Sequence, residues 1–220
     1  MILSVRHNYI YIRTKKTGST TIEGLLTQNL GPDDIVLKRD FEVLKPLMKP
    51  GTKVPERERG NTPLSPTHVA IDKIRPLLRD DFWNGAFVFT SERHPYEKAV
   101  SFAYWRWWNI SSRQEKRERP KKDFAKHFDE MVRRGKYPSF PLYSIDDRPV
   151  VHDFIRLESL KEDLARIADR VGITVPEELP RTREESRADR RPAKEILSDE
   201  QKQIVWERCR REFEILGYER

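Results

Sequence analysis

Hydrophobic and polar positions along this chain change period within a few residues of its start. Tyr9-Ile10-Tyr11-Ile12 is an unbroken aromatic and β-branched run, the pattern of a buried strand. A polar stretch from Arg13 to Thr21 follows, after which Ile22, Leu25 and Leu26 recur at helical spacing. The order predicts strand, turn, helix. Gly31 to Pro66 is rich in Pro, Gly and charge and reads as a long surface excursion with a short strand at Asp34 to Lys38. Loops of that length are uncommon in compact domains unless they do something, and substrate coverage is the expectation.

Thr67 to Ala70 predicts a short strand or turn, and Ile71 to Leu78 a short helix interrupted at Pro76. Ala86 to Thr90 reads as a strand, and Tyr96 to Trp108 as a helix entered through the Arg93-His94-Pro95 turn. Phe124 to Val132 predicts an amphipathic helix, Val150 to Leu157 a strand, and Ser159 to Val171 a helix ended by Gly172. The charged segments Arg113 to Lys122 and Arg181 to Lys194 read as exposed. Asp199 to Leu216 closes the chain as a helix capped by Ser198. Strands alternating with helices imply an α/β fold with a mainly parallel central sheet covered on both faces.

Composition narrows the class. At 220 residues the chain is expected to form one domain, 1–220, and 36% hydrophobic residues support a globular core. A formal net charge of +7 suggests an anionic ligand without choosing among nucleotide, nucleic acid, acidic glycan and membrane surface. The single cysteine, Cys209, rules out an internal disulfide and a cysteine-only metal cluster; it reads as a small side chain in the last helix. No stretch approaches transmembrane length, and Met1 to His7 lacks the layout of a signal peptide, so a cytoplasmic protein without stable membrane insertion is expected.

The turn after Ile12 holds the first candidate chemistry. A helix start presents unpaired backbone NH groups and the positive end of the helix dipole, a natural seat for phosphate. Lys15 and Lys16 add charge, Ser19, Thr20 and Thr21 add hydroxyls, and Gly18 allows a backbone shape or approach that a Cβ would obstruct. A strand capped into a helix by Ser19 or Thr20, with two solvated lysines, accounts for part of the same pattern. Lysine, glycine and three consecutive hydroxyls within seven residues exceed what a cap needs. The nucleoside triphosphate motif GxxxxGK[ST] does not match, because the lysine precedes the glycine and the strand at Ala86 continues to Ser91 and Glu92 without a metal-holding aspartate.

The second constellation lies at Phe87 to Phe102. It places Arg93 where a strand ends and Ser101 about two turns into the next helix, where a guanidinium and a hydroxyl can meet a phosphate.

Lys16-Thr-Gly-Ser-Thr-Thr21 and Arg93-His-Pro95 with Ser101, in that order, resemble the sulfotransferases that use 3′-phosphoadenosine-5′-phosphosulfate (PAPS), especially carbohydrate sulfotransferases and their bacterial relatives. Asp153 to Asp163 with Gly172-Ile173, and the ending Phe213 to Tyr218, are also similar to that family. Lys15 stands where the family commonly has proline, and His94 where aspartate or asparagine is frequent. The resemblance implies a P-loop-like three-layer fold. It also implies that Lys16, Thr17, Gly18, Ser19, Thr20 and Thr21 hold the 5′-phosphosulfate, while Arg93 and Ser101 hold the 3′-phosphate. The product would be 3′-phosphoadenosine-5′-phosphate, and the acceptor a hydroxyl of a carbohydrate or glycolipid. No metal is expected.

A hydroxyl acceptor needs a base, and His68, followed by Val69-Ala-Ile71, resembles the catalytic histidine of uronyl 2-O-sulfotransferases. A structural histidine fits the same position, and a carboxylate from the Gly31 to Pro66 excursion competes for the role. The resemblance also suggests a late basic loop, Arg181, Arg183 and Arg187, over the 3′-phosphate, although solvated charge explains each. Trp105, Trp107 and Trp108 cannot all hide on one helix face, so at least one is expected to border a cleft or an interface. Two other classes stand beside the sulfotransferase: a P-loop-type nucleotide kinase, and a non-catalytic basic nucleic-acid-binding protein using charge and stacking.

Overall fold

The computed structural model describes residues 1–38, 40–54, 68–114, 123–176, 178 and 187–220, with the backbone alone for 111–114. The predicted excursion beyond residue 54, Thr67, the basic segment 115–122, and Arg181 with Arg183 lie outside the described residues. The chain divides into two compact units, each assembled from separated stretches. Met1–Thr14, Gly18–Glu92 and Pro141–Pro180 form the first, and Lys15–Thr17, Arg93–Phe140 and Arg181–Arg220 the second.

The first unit is mixed α/β, with a five-stranded, mostly parallel sheet flanked by helices. Strand β1 (Ile2–Ser4) turns back through residues 5–8 into β2 (Tyr9–Ile12), and Asn8 takes a left-handed φ of 51° to close that reversal. So short a connection forces the two strands to be antiparallel, with Leu3 opposite Ile10. Helix α1 (Ser19–Thr27) follows, then β3 (Ile35–Val36), which pairs with β1. Two short helices, α2 (Ile71–Ile74) and α3 (Asp80–Gly85), lead into β4 (Phe87–Glu92). β4 lies parallel to β2, the geometry a long crossover permits. A small hairpin, β5 (Ser144–Ile145) with β6 (Arg148–Pro149), precedes β7 (Asp153–Arg156), which pairs parallel to β4.

The sheet order is β3-β1-β2-β4-β7, and only β1 runs against the rest. β2 is buried throughout because it has a neighbour on each side and apolar side chains on both faces. On one face Tyr9, Tyr11, Phe89 and Ile155 meet Ile22, Leu25 and Leu26 of α1, together with Leu164, Ile167 and Val171 of α6 (Leu160–Val171). Each such side chain contributes about 1.5–3 kcal/mol by leaving water. Gly172 ends α6 in the left-handed conformation, as expected.

The second unit is helical. Helix α4 (Pro95–Gln114) buries Tyr96, Ala99, Val100 and Ala103 against α5 (Phe124–Arg134) and the last helices. Asp123 caps α5 by accepting from Ala125 N and Lys126 N. Helix α7 (Ala193–Ile196) begins at the last two residues of the expected charged loop. The predicted helix Asp199 to Leu216 is two helices, α8 (Asp199–Arg208) and α9 (Arg210–Leu216), broken at Cys209, where φ is −114° and ψ 22°. Ser198 does cap it, in a reciprocal box with Gln201. Beneath, the fully buried Lys98 ammonium lies 3.5 Å from Glu212, whose carboxylate also accepts from Ser139 N and Phe140 N. Two buried charges are thus paired and hydrogen-bonded, the condition under which burial is tolerated. Among the described residues no helix is long and apolar enough to cross a membrane.

Candidate functional site

In the first unit the turn out of β2 reaches α1 through Gly18, the N-cap, at φ 73°. Two features favour glycine here. The left-handed backbone disfavours a side chain, and a Cβ built there would stand 2.8 Å from Leu157 Cδ1. Gly18 therefore caps through its backbone alone: its carbonyl accepts from Thr21 N at 2.9 Å and Ile22 N at 3.2 Å, no side chain caps the helix, and the first turn carries no acid. The expected cap by Ser19 or Thr20 is not formed, since both residues lie inside the helix. Gly18→Ala is expected to lower the unfolding free energy by at least about 1–2 kcal/mol, the cost of the left-handed backbone alone. A urea midpoint equal to wild type would contradict the double constraint.

Three hydroxyl side chains form the first turn of α1: Ser19 and Thr21 are buried, and Thr20 is exposed. Arg13, just before the turn, donates from Nη2 to Thr20 Oγ1 at 3.0 Å, from Nε to Ser19 Oγ at 3.4 Å, and from Nη1 to both carboxylate oxygens of Glu23 at 3.1 Å. The same end of the sheet is fastened by hydroxyls: Thr14 Oγ1 donates to Ser91 O, Thr90 Oγ1 to Ile12 O at 2.7 Å, and Tyr11 Oη pairs with Ser91 Oγ at 2.9 Å. These bonds fix the carboxyl ends of β2 and β4 to each other. That is the end at which parallel α/β sheets bind ligands.

His68 joins this group through the backbone, its Nδ1 lying 3.2 Å from Arg13 O. A carbonyl only accepts, so Nδ1 carries the hydrogen and the neutral ring keeps its lone pair on Nε2. That tautomer can take a proton. His152 and His7 have other work, since His152 Nδ1 accepts from Val88 N at 2.9 Å and His7 Nε2 contacts Asn29 O at 3.2 Å.

Lys16 and Thr17 belong to the second unit. Lys16 adopts a left-handed φ of 60°, uncommon for a residue with a long side chain, and its Nζ lies over the Trp105 ring, 5.5 Å from the centroid. Thr17 is fully buried. Lys15 is half-buried; burial, and then the charges of Lys136 and Lys98, hold its ammonium below the usual lysine pKa. Of the three tryptophans in question, Trp105 and Trp107 are half-buried, whereas Trp108 is exposed.

Arg93 donates from Nη2 to Glu97 Oε2 at 3.0 Å. Arg187 reaches the same oxygen at 2.6 Å, and Ala193 N donates to Oε1 at 2.7 Å. Burial alone would raise the Glu97 pKa, but the Ala193 N–H and the Arg187 and Arg93 guanidiniums outweigh it and hold the carboxyl below its usual range. Glu97 and Ser101 are four residues apart on α4 and so share a face, which brings Arg93 to the face that carries Ser101. His94 caps the start of α4: its Nδ1 accepts from Tyr96 N at 3.3 Å while Nε2 donates to Glu219 O at 3.0 Å.

The first unit thus contains Gly18, Ser19, Thr20, Thr21 and His68 from the predicted set, and the second contains Lys16, Thr17, Arg93 and Ser101. Among the described residues no three His, Cys, Asp or Glu side chains gather into a metal-binding group. No protein-family model, curated protein or solved structure matches the chain. Its function is therefore read from its residues.

Arg13 and Glu97 were absent from the sequence-based set. Ser19 and Thr20 lie within a few residues of Arg13, so a turn-closing arginine was a usable clue. Glu97 had only its four-residue spacing from Arg93, because Arg187 and Ala193 are distant in sequence.

Proposed function

We propose that this protein transfers a sulfuryl group from PAPS to a hydroxyl of a carbohydrate or glycolipid acceptor. The observation that carries the reading is the start of α1: a glycine-capped helix end without an acid, bearing three hydroxyls, directly after Lys16. Such an end attracts an anion through its backbone NH groups and dipole. Ser101 on α4 and Arg93, which precedes the helix and reaches the same face through Glu97, with Arg187 sharing Glu97, support a second phosphate. Two phosphates suit a 3′,5′-substituted adenosine better than a nucleoside triphosphate. A P-loop-like relation of β2, turn and α1 is part of the same proposal.

PAPS, when bound, supplies the sulfuryl group. Gly18 to Thr20 would hold its 5′-phosphosulfate through backbone NH groups, with the hydroxyls of Ser19, Thr20 and Thr21, and Arg93 with Ser101 would hold its 3′-phosphate. Lys16 neutralises the negative charge that grows on the departing phosphate oxygen. His68 Nε2 would accept the proton of the acceptor hydroxyl as that oxygen takes the sulfuryl group and the bisphosphate leaves. Positioning does the rest, since sulfuryl transfer in line demands alignment of both oxygens.

Calorimetric titration with 3′-phosphoadenosine-5′-phosphate tests the nucleotide assignment. Micromolar binding is expected, weakened in Lys16→Ala and lost in Arg93→Ala. No binding to folded protein would sink the proposal, and magnesium-dependent ATP binding with indifference to the bisphosphate would favour a kinase.

A further inference from the structure

Arg13 directs its entire side chain inward onto α1. Its guanidinium donates to Ser19 Oγ, Thr20 Oγ1 and both oxygens of Glu23, and the Arg13 and Glu23 side chains are only 15% and 14% exposed. A guanidinium has donors and no acceptor. The hydroxyl oxygens of Ser19 and Thr20 can therefore only accept from it, which leaves each hydroxyl its own proton and turns that proton away from Arg13. Glu23 lies one turn beyond Ser19, on the same face of α1. Its carboxylate balances the arginine charge and anchors the fork, so that Arg13 is held as a donor to the hydroxyls.

We propose that Arg13 is a positioning residue that sets the Ser19 and Thr20 hydroxyls as outward donors to the 5′-phosphosulfate, an assignment that rests on the sulfotransferase reading. Its contribution is geometric. Lysine at this position keeps the charge but cannot fork to three side chains at once. The carbonyl of residue 13 survives any side-chain change, so the His68 contact is retained; Arg13→Met also leaves the Glu23 carboxylate unpaired, whereas Arg13→Lys keeps the balancing charge and reports on the geometry of the brace.

The test compares two nucleotides on the full chain by calorimetry. 3′-Phosphoadenosine-5′-phosphate carries both phosphates, whereas adenosine 3′-monophosphate lacks the one the brace serves. Arg13→Met and Arg13→Lys are each expected to weaken the bisphosphate about tenfold, the scale of a hydrogen bond to a charged group. Adenosine 3′-monophosphate should stay within about twofold of wild type, since it makes no demand on the two hydroxyls. Thr20→Val combined with Arg13→Lys should lose less than the product of the two single losses, because both act through one hydroxyl.

Unchanged bisphosphate affinity, equal losses for the two nucleotides, or full rescue by lysine would overturn the brace. A wild-type protein that binds neither nucleotide would instead overturn the sulfotransferase reading, and the brace with it. Where Arg13→Met does not fold, Arg13→Lys carries the comparison.

Discussion

Lys16→Met is expected to slow sulfuryl transfer by roughly 10²- to 10³-fold, the usual loss when one donor to a developing oxyanion is removed. Methionine keeps an unbranched side chain of nearly the same length and removes the charged donor. The left-handed φ of 60° at this residue is no worse for methionine than for lysine, so the turn should survive. The contact of Nζ with the Trp105 ring is lost, a change of about 0.5–1 kcal/mol at an accessible site. Single-turnover rates with labelled donor, set beside bisphosphate affinity, separate the two effects. The rate should fall further than the affinity, the signature of an interaction made chiefly in the transition state. Turnover within threefold of wild type would remove Lys16 from the chemistry and leave it only a binding role.

His68→Asn should cost roughly 10²- to 10⁴-fold in turnover, the range spanned by general base catalysis. Asparagine is the informative substitution, because its amide can still donate to the Arg13 carbonyl where Nδ1 does now. What it lacks is a basic nitrogen. Affinity for the bisphosphate should be unchanged, since His68 is assigned to the acceptor oxygen. Wild-type turnover in His68→Asn would eliminate the assignment.

Where the pattern was long or doubly constrained, the chain disclosed its fold. β2 was legible because a strand with neighbours on both sides has no polar face, and α1 because Ile22, Leu25 and Leu26 repeat at the spacing that meets the sheet. The break at Cys209 was not legible, since Val205, Cys209 and Phe213 keep a four-residue spacing across it and all three are buried. Periodicity records which side chains face the core, and a one-residue break leaves that record intact. β1, β5 and β6 are two or three residues long, too short for alternation to register.

The site divided in the same way. Gly18 announced itself by residue type, and the structure adds Leu157 as a second reason that no letter near Gly18 reveals. Glu97 read as one more charge on a polar helix. It proves to gather two arginines and a backbone N–H because residues 187 and 193 return to it, a long-range pairing that a one-dimensional pattern does not encode.

The interleaved construction of the two units has a consequence for synthesis. As the chain leaves the ribosome, β2 and β4 are available early, but β4 keeps a bare hydrogen-bonding edge until Asp153–Arg156 emerges to cover it. Before then the growing polypeptide has already delivered α4 and α5, whose apolar faces await Val205, Cys209 and Phe213 near the carboxyl end. Neither unit can be completed from the amino-terminal half alone, so this nascent chain carries an open strand edge and an uncovered helical face together, the features that invite aggregation and chaperone attention.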